Sequence, residues 1–205
     1  MRVAIVGGTG PFGRALATRL GKAGYDVVLG SRDAARAQEI AAELGVEGRA
    51  NDEAVESADL VVLATRADAA VATARELAGA IGPTPVLSVA SELARSAGGM
   101  VPRESSSIAE ELEAVLEAPV VAGLHSLAAS NLGAEEVPDE DAFVCGDDDD
   151  AKTLALELAG SVTAGRAYDA GPLASARALE GLTAVIVNLN KRYRGHAGLR
   201  VTGLG

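Results

Sequence analysis

Short apolar runs separated by amphipathic stretches set the rhythm of this chain. Residues 3–6 are uninterrupted apolar, stop at Gly7, and are followed by 14–22, where Ala15, Leu16, Ala17 and Leu20 supply an apolar helical face. Runs of this kind suit strands covered on both faces, so 3–6, 26–30, 59–64, 85–88 and 119–123 read as parallel strands. Helical patterns at 34–44, 67–77 and 107–116 fall between them. The alternation predicts an α/β fold with a doubly wound, mainly parallel sheet. Residues 94–106, rich in glycine and serine, read as a loop near the carboxyl ends of the strands, where open α/β sheets bind ligands. After Leu132 the texture changes to an acidic linker, a short strand and a helix beginning near Asp149. A last helix, 173–192, carries Leu179, Leu182, Val185, Ile186 and Leu189 and is too apolar to face water all round.

The glycines give the first strand and helix a chemistry. Gly8-x-Gly10-x-x-Gly13 lies between them, and a second strand follows about 20 residues on, the order of a dinucleotide-binding βαβ unit. One glycine makes the tight turn, one lets the backbone approach a pyrophosphate, and one lets helix and strand pack closely. The phosphates would sit over unpaired N–H groups at the helix start, with Thr9 able to donate a further hydrogen bond. The end of the second strand selects the dinucleotide. An acid there would hold the ribose 2′-OH of NAD, but the strand ends instead on Gly30-Ser31-Arg32, with Arg36 four residues beyond. Read as neighbours on the start of the next helix, the two guanidiniums and the Ser31 hydroxyl suit the 2′-phosphate of NADP(H). Asp33 is either a displaced ribose acid or, as helix starts favour, a first-turn acid.

Composition narrows the setting. The 205 residues are 48% hydrophobic, enough for one domain with a sizeable core or a domain with a small second lobe, and aromatics at 2% leave that core to Ala, Val and Leu. A net charge of −11 argues against nucleic acid and anionic membranes as partners. Three lysines among so many acids suit either a high-salt cytoplasm or a GC-rich genome. One cysteine, Cys145, excludes an intramolecular disulfide, and neither a signal segment nor a membrane-length apolar run is present. The expected compartment is the cytoplasm. Four consecutive acids, Asp147 to Asp150, are better explained by helix capping than by a metal, and no metal-ligand set is expected.

Four segments together carry a family resemblance: the opening 1–36 with "GGTG" and "GSR", "VVAGLHSLAA" at 120–129, "FVCGDDDDAK" at 143–152, and "DAGPLASARALEGLTAVIVNLN" at 169–190. In order and over nearly the whole chain they resemble the F420-dependent NADP reductases, which pass hydride between the deazaflavin F420 and NADP. The resemblance implies a Rossmann domain at 1–132 and a small C-terminal lobe at 133–205 that completes the cleft and contributes to a homodimer contact. It also implies that the segment with His125 and Leu127, and the helix with Thr183, form the deazaflavin pocket. His125 would position the ring, and no residue would act as acid, base or nucleophile. The cofactor-binding set is then Gly8, Thr9, Gly10, Phe12, Gly13, Ser31, Arg32, Arg36, Thr65, His125, Leu127 and Thr183. Thr183 could instead bond back within its own helix.

This chain departs from the family at Thr65-Arg66 and at Val89-Ala90-Ser91, where prolines are usual. Arg66 could bind the phosphate or oligoglutamate tail of F420, or could indicate another electron partner. Two further readings stay open. One is an NADP-dependent reductase of the 6-phosphogluconate dehydrogenase type acting on a small hydroxyacid or imine, although the lysine-then-asparagine order of that group is reversed here as Asn188 and Lys191. The other is a non-catalytic NADP-binding redox sensor.

Overall fold

The computed structural model describes residues 1–102 and 106–204. Strands β1 (Arg2–Val6), β2 (Asp26–Ser31), β3 (Glu47–Ala50), β4 (Leu60–Leu63) and β5 (Val86–Ser88) precede a hairpin of β6 (Leu93–Ser96) and β7 (Gly99–Pro102). Then come β8 (Val120–Gly123), β9 (Ala142–Gly146) and β10 (Ala167–Asp169). All except the hairpin join one sheet in the order β10-β9-β8-β5-β4-β1-β2-β3, parallel throughout except for the antiparallel β8–β9 pair. Order reverses between β1 and β4, which makes the crevice at their carboxyl ends the expected ligand site of such a sheet.

The helices are α1 (Pro11–Lys22), α2 (Ala34–Leu44), α3 (Asn51–Val55), α4 (Ala67–Ile81), α5 (Ile108–Glu113), α6 (Ala129–Leu132), α7 (Asp149–Ser161) and α8 (Ala176–Tyr193). Side chains alternate across a strand, so a strand covered on both sides divides its residues between two cores. Val3 and Ile5 of β1, with Leu60 and Val62 of β4, pack under α1, α2 and α7. Ala4 and Val6, with Val61 and Leu63, pack under α4, α5 and the start of α8. Every one of these strand residues is fully buried, and removing a Val, Leu or Ile side chain from water stabilises by about 1.5–3 kcal/mol.

Several elements depart from the apolar pattern. Strand β3, with the sequence EGRA, has no buried residue and takes its place by pairing in parallel with β2. Its Gly48 is required because a Cβ there would lie 2.4 Å from the Ala37 carbonyl of α2. Residues 94–102 of the expected loop belong instead to the β6–β7 hairpin, while 103–105 lie outside the described residues. Pairing across a tight Ala97–Gly98 turn, and not strand propensity, makes that hairpin. The last helix starts with a 3-10 turn, Leu173–Ser175, and buries Ala176, Leu179, Glu180, Ala184 and Ile186, while Val185 is 48% exposed. Asp148 caps α7 by accepting from Ala151 N at 2.8 Å, and Asp147 accepts from Leu173 N at 3.0 Å.

Position 132 ends α6, and β9 and β10 beyond it extend the same sheet. Arg19 of α1, only 5% exposed, spans this point. Its guanidinium donates to Leu132 O at 2.7 Å, to Glu135 O at 3.4 Å, and to the carbonyls of Ala134 and Glu136.

Candidate functional site

At the end of β1 the chain turns through Gly7, held at φ +73, with Thr65 directly above it. The three glycines of the motif meet different surroundings. A Cβ on Gly13 would lie 2.6 Å from Gly8 Cα, and one on Gly8 would lie 2.7 Å from Leu29 Cγ, so both are needed for helix–strand packing. A Cβ on Gly10 would meet only Gly7 O, at 3.6 Å. Gly10 is therefore the glycine whose open side faces outward at the N-terminus of α1, where the first-turn N–H groups of Phe12 and Gly13 have no helical acceptor. Thr9 lies in the same turn.

Ser31 ends β2 nearly buried, and its hydroxyl accepts from Asp33 N at 3.2 Å. Asp33 is the N-cap of α2, with its carboxylate accepting from Arg36 N at 3.1 Å, so its ordinary capping role is the one realised. Arg32 does not lie on the helix as expected, because α2 starts at Ala34; it sits on the turn before the cap, with Arg36 in the first turn. Both are exposed and have no carboxylate partner among the described residues.

A cavity of about 500 Å³ opens at the carboxyl ends of β4, β5 and β8. Phe12, Thr65, His125, Leu127 and Thr183 line it together, as do both departures from the family pattern, Thr65-Arg66 and Val89-Ala90-Ser91. Phe12 links the two halves of the site, standing in the first turn of α1 and in the cavity wall.

A hydrogen-bonded chain holds one wall of this cavity. His125 Nε2 lies 3.2 Å from Ala90 O, and because a carbonyl only accepts, this contact puts the imidazole proton on Nε2. Nδ1 is left as an acceptor, buried and without a partner among the described residues. Thr183 Oγ1 donates to His125 O at 3.0 Å, so it does not bond back within its helix; Ser91 Oγ donates to it in turn at 2.8 Å. Burial pushes the His125 imidazole down to about 4, so it is neutral at ordinary pH. The preceding residue, Leu124, is 1% exposed and has φ +64, a conformation costing a non-glycine residue about 1–3 kcal/mol and kept here by the packing around it. That bend turns His125 from the end of β8 into the cavity.

Arg66 is 85% exposed and is gripped by both carboxylate oxygens of Asp68, at 3.1 and 2.5 Å. Sequence reasoning passed over Glu180, a carboxylate buried at 4% exposure one turn before Thr183. It accepts from Ile108 N at 2.7 Å, and also from the backbone of Ala109 and Glu92, fastening the cavity loop and α5 to α8. Burial pushes it up to about 7 despite those bonds. Its one signal in sequence is an acid flanked by Leu179 and Leu182 in an apolar helix. Among the described residues no cluster of His, Cys, Asp and Glu could hold a metal.

Relatives match this chain along its whole length. Residues 2–92 match the family described as NADP oxidoreductase, coenzyme F420-dependent. The F420-dependent NADP reductase of Methanothermobacter marburgensis is 35% identical, covering 100% of this chain and 99% of its own. That of Methanocaldococcus jannaschii is 32% identical over the same shares. A crystal structure from Arthrobacter sp. FB24, provisionally assigned as an F420-dependent NADP reductase, superposes with a TM-score of 0.85 at 25% identity over 99% of this chain and 100% of that one. With relatives at this identity matching from end to end, beyond the glycine turn that many nucleotide binders share, the chain belongs to the F420-dependent NADP reductase family.

Proposed function

We propose that this protein is an NADPH:F420 oxidoreductase that transfers hydride directly between the two carriers. The observation that carries the reading is Phe12, common to the phosphate-facing helix start and to the cavity: a dinucleotide seated on α1 delivers its far ring into that cavity. The residues fit the cofactors. Gly10 leaves space for a pyrophosphate, Arg32 and Arg36 are free for a 2′-phosphate beside Ser31, and His125 stands in the wall of a ring-sized space. Bound together, nicotinamide and deazaflavin supply all the redox chemistry as a two-electron hydride exchange. The protein aligns and encloses. Leu124 and Leu127 exclude water from the cavity wall, the Ser91–Thr183–His125 chain fixes the wall's polar atoms, and neutral His125 shapes that wall without giving up a proton.

The test mixes NADPH, deuterated at one C4 face and then at the other, with F420 in ordinary water. Both isotopomers should bleach the deazaflavin absorbance, and one of the two should deliver its label quantitatively to F420. Loss of label to solvent from both would mean an exchangeable group relays the hydrogen. A sensor would give binding without bleaching. The reductase of the 6-phosphogluconate type is disfavoured by Asn188, whose amide is occupied by the backbone of Met100 at 2.8 Å in both directions.

The same reading includes a two-fold homodimer. Val185 and Tyr193 share an i, i+8 ridge on α8 and are 48% and 73% exposed, beside Val101 of β7 at 40%. Light scattering at micromolar concentration should give twice the chain mass. Net charge disfavours nucleic acid, no described helix is long and apolar enough to cross a membrane, and a buried lone thiol suits the cytoplasm.

A further inference from the structure

The part of the cavity wall made by residues 89–93 has little of its own to hold it. It leaves the short strand β5 after Ser88, contains no proline to fix its backbone, and joins β6 only at Leu93. A stretch of that kind has many conformations of similar energy, and ordering it is costly. All five of its residues line the cavity, so whatever fixes them fixes the cavity's shape.

Three successive residues are each held by one hydrogen bond. Ala90 O accepts from His125 Nε2 at 3.2 Å, Ser91 Oγ donates to Thr183 Oγ1 at 2.8 Å, and Glu92 N donates to the Glu180 carboxylate. His125 and Thr183 stand in the wall themselves; Glu180 is 4% exposed on the helix behind it. On α8, Glu180 and Thr183 are three residues apart, on one face and about 4.5 Å from each other along the axis. Two neighbours in the loop are thus gripped by two neighbours on one helical ridge. Farther along the same helix, Asn188 holds Met100 of the hairpin at 2.8 Å in both directions, so α8 secures this segment at both ends.

The donors around Glu180 call for a carboxylate. Its oxygens accept from Glu92 N, from Ile108 N at 2.7 Å and from Ala109 N, the last two being first-turn groups of α5 with no acceptor in their own helix. A leucine at 180 would pack α8 without the desolvation of an acid but would leave three N–H groups unanswered. A glutamine would offer one oxygen and turn an NH₂ toward groups that can only donate.

We propose that Glu180 is a positioning residue for hydride transfer: through the Glu92 N–H it holds the 89–93 wall in the form that admits F420, without touching either carrier. The proposal rests on the reading of the cavity as the deazaflavin site. When a wall is in place for only part of the time, apparent affinity falls by that fraction while the chemistry of the bound state is unchanged. Glu180 therefore acts on the affinity for F420 and leaves kcat alone.

Glu180→Gln and Glu180→Asp test this, because Gln keeps the size and gives up an acceptor oxygen, whereas Asp keeps both oxygens and gives up a methylene. In the ligand-free protein the Glu92 amide, followed by NMR, should exchange its hydrogen about tenfold faster in Glu180→Gln than in the unaltered chain, with Glu180→Asp between them. The dissociation constant of F420 by deazaflavin fluorescence, and its KM with NADPH as donor, should rise about tenfold in Glu180→Gln and less in Glu180→Asp, while kcat and the NADPH dissociation constant stay within about twofold. A Glu180→Gln protein that matches the unaltered one, with Glu180→Asp the worse of the two, means that Glu180 only fills space and overturns the proposal. Faster exchange at Glu92 with unchanged F420 affinity overturns it too. A common fall in F420 affinity, NADPH affinity and kcat does the same, because it marks a loosened fold. An unaltered protein that binds NADPH but neither binds nor reduces F420 removes the deazaflavin site and this role with it.

Discussion

The two ends of the cleft are built in different ways. The proposed phosphate end comes from one continuous stretch of 36 residues, and it presents backbone N–H, an open Gly10 and two arginines without a carboxylate partner among the described residues. The proposed ring end gathers Phe12, Thr65, Ala90, Ser91, His125 and Thr183 from segments up to 171 residues apart, with side chains locked by one another. A backbone site is sensitive to anything that fills space and indifferent to most side-chain chemistry. A site of interlocked side chains holds its shape through hydrogen bonds that strengthen one another, so the loss of one member is felt by its neighbours.

Substituting Gly10 should break this contrast most severely. Gly10→Val should weaken NADPH binding at least ~100-fold, because a side chain would stand where the pyrophosphate meets the backbone. Thermal unfolding should be little altered, since a Cβ there touches only Gly7 O at 3.6 Å. Gly13→Val, with Gly8 Cα at 2.6 Å, should lower the melting temperature sharply, and calorimetry beside a binding titration separates the two effects. Next in size, Arg32→Ala should cost NADPH about 1.5–3 kcal/mol of binding and NADH almost nothing, as a charge-assisted bond to the 2′-phosphate would require. Equal affinities for NADPH and NADH in the unaltered protein would refute the phosphate reading.

At the ring end, His125→Asn should slow turnover by at most about tenfold, the scale of a lost neutral hydrogen bond, against the ~10²–10⁴ of a lost general acid or base. The unaltered enzyme should show no titration of turnover from this histidine between pH 5 and 8, because burial holds it neutral down to about 4. Stability tells the complementary story. His125, lowered from 6.5 to about 4, contributes stability present above pH 6.5 and lost as pH falls toward 4. Glu180, raised from 4.5 to about 7, contributes stability that is full below pH 4.5 and lost as pH rises through 7. The smallest expected effect is therefore in Glu180→Gln: denaturant midpoints measured from pH 5 to 8 should fall less steeply on the alkaline side than those of the unaltered protein.

The same contrast explains what could be read from the chain alone. Strand β1, the glycine turn, α1 and Ser31-Arg32 announce themselves because periodicity and local spacing carry their information. His125, Leu127 and Thr183 were placed by family resemblance, because nothing within a few residues of any of them says which loop it will face. Glu180 and the Ser91–Thr183 bond depend on α8 crossing the carboxyl end of β5, a tertiary event without a local signature. Strand β3 illustrates the limit for the fold. EGRA has no strand pattern, and it pairs because β2 offers an edge and Gly48 lets α2 pass.

Arg19 decides where this chain can be cut. The stretch after α6 has the acidic composition of a tether, yet three of its backbone carbonyls, with that of Leu132 at the end of α6, converge on a buried guanidinium rooted in α1. New termini or an inserted protein placed there would strand a buried cation, a loss of about 3–5 kcal/mol for a broken buried partner. The tip of the hairpin at Ala97–Gly98, exposed and open around Gly98, is the place to graft or permute. Mechanically, a pull on residues 132–136 is passed through Arg19 to α1, the helix that starts at the glycine turn, so tension there is shared between the sheet and that turn.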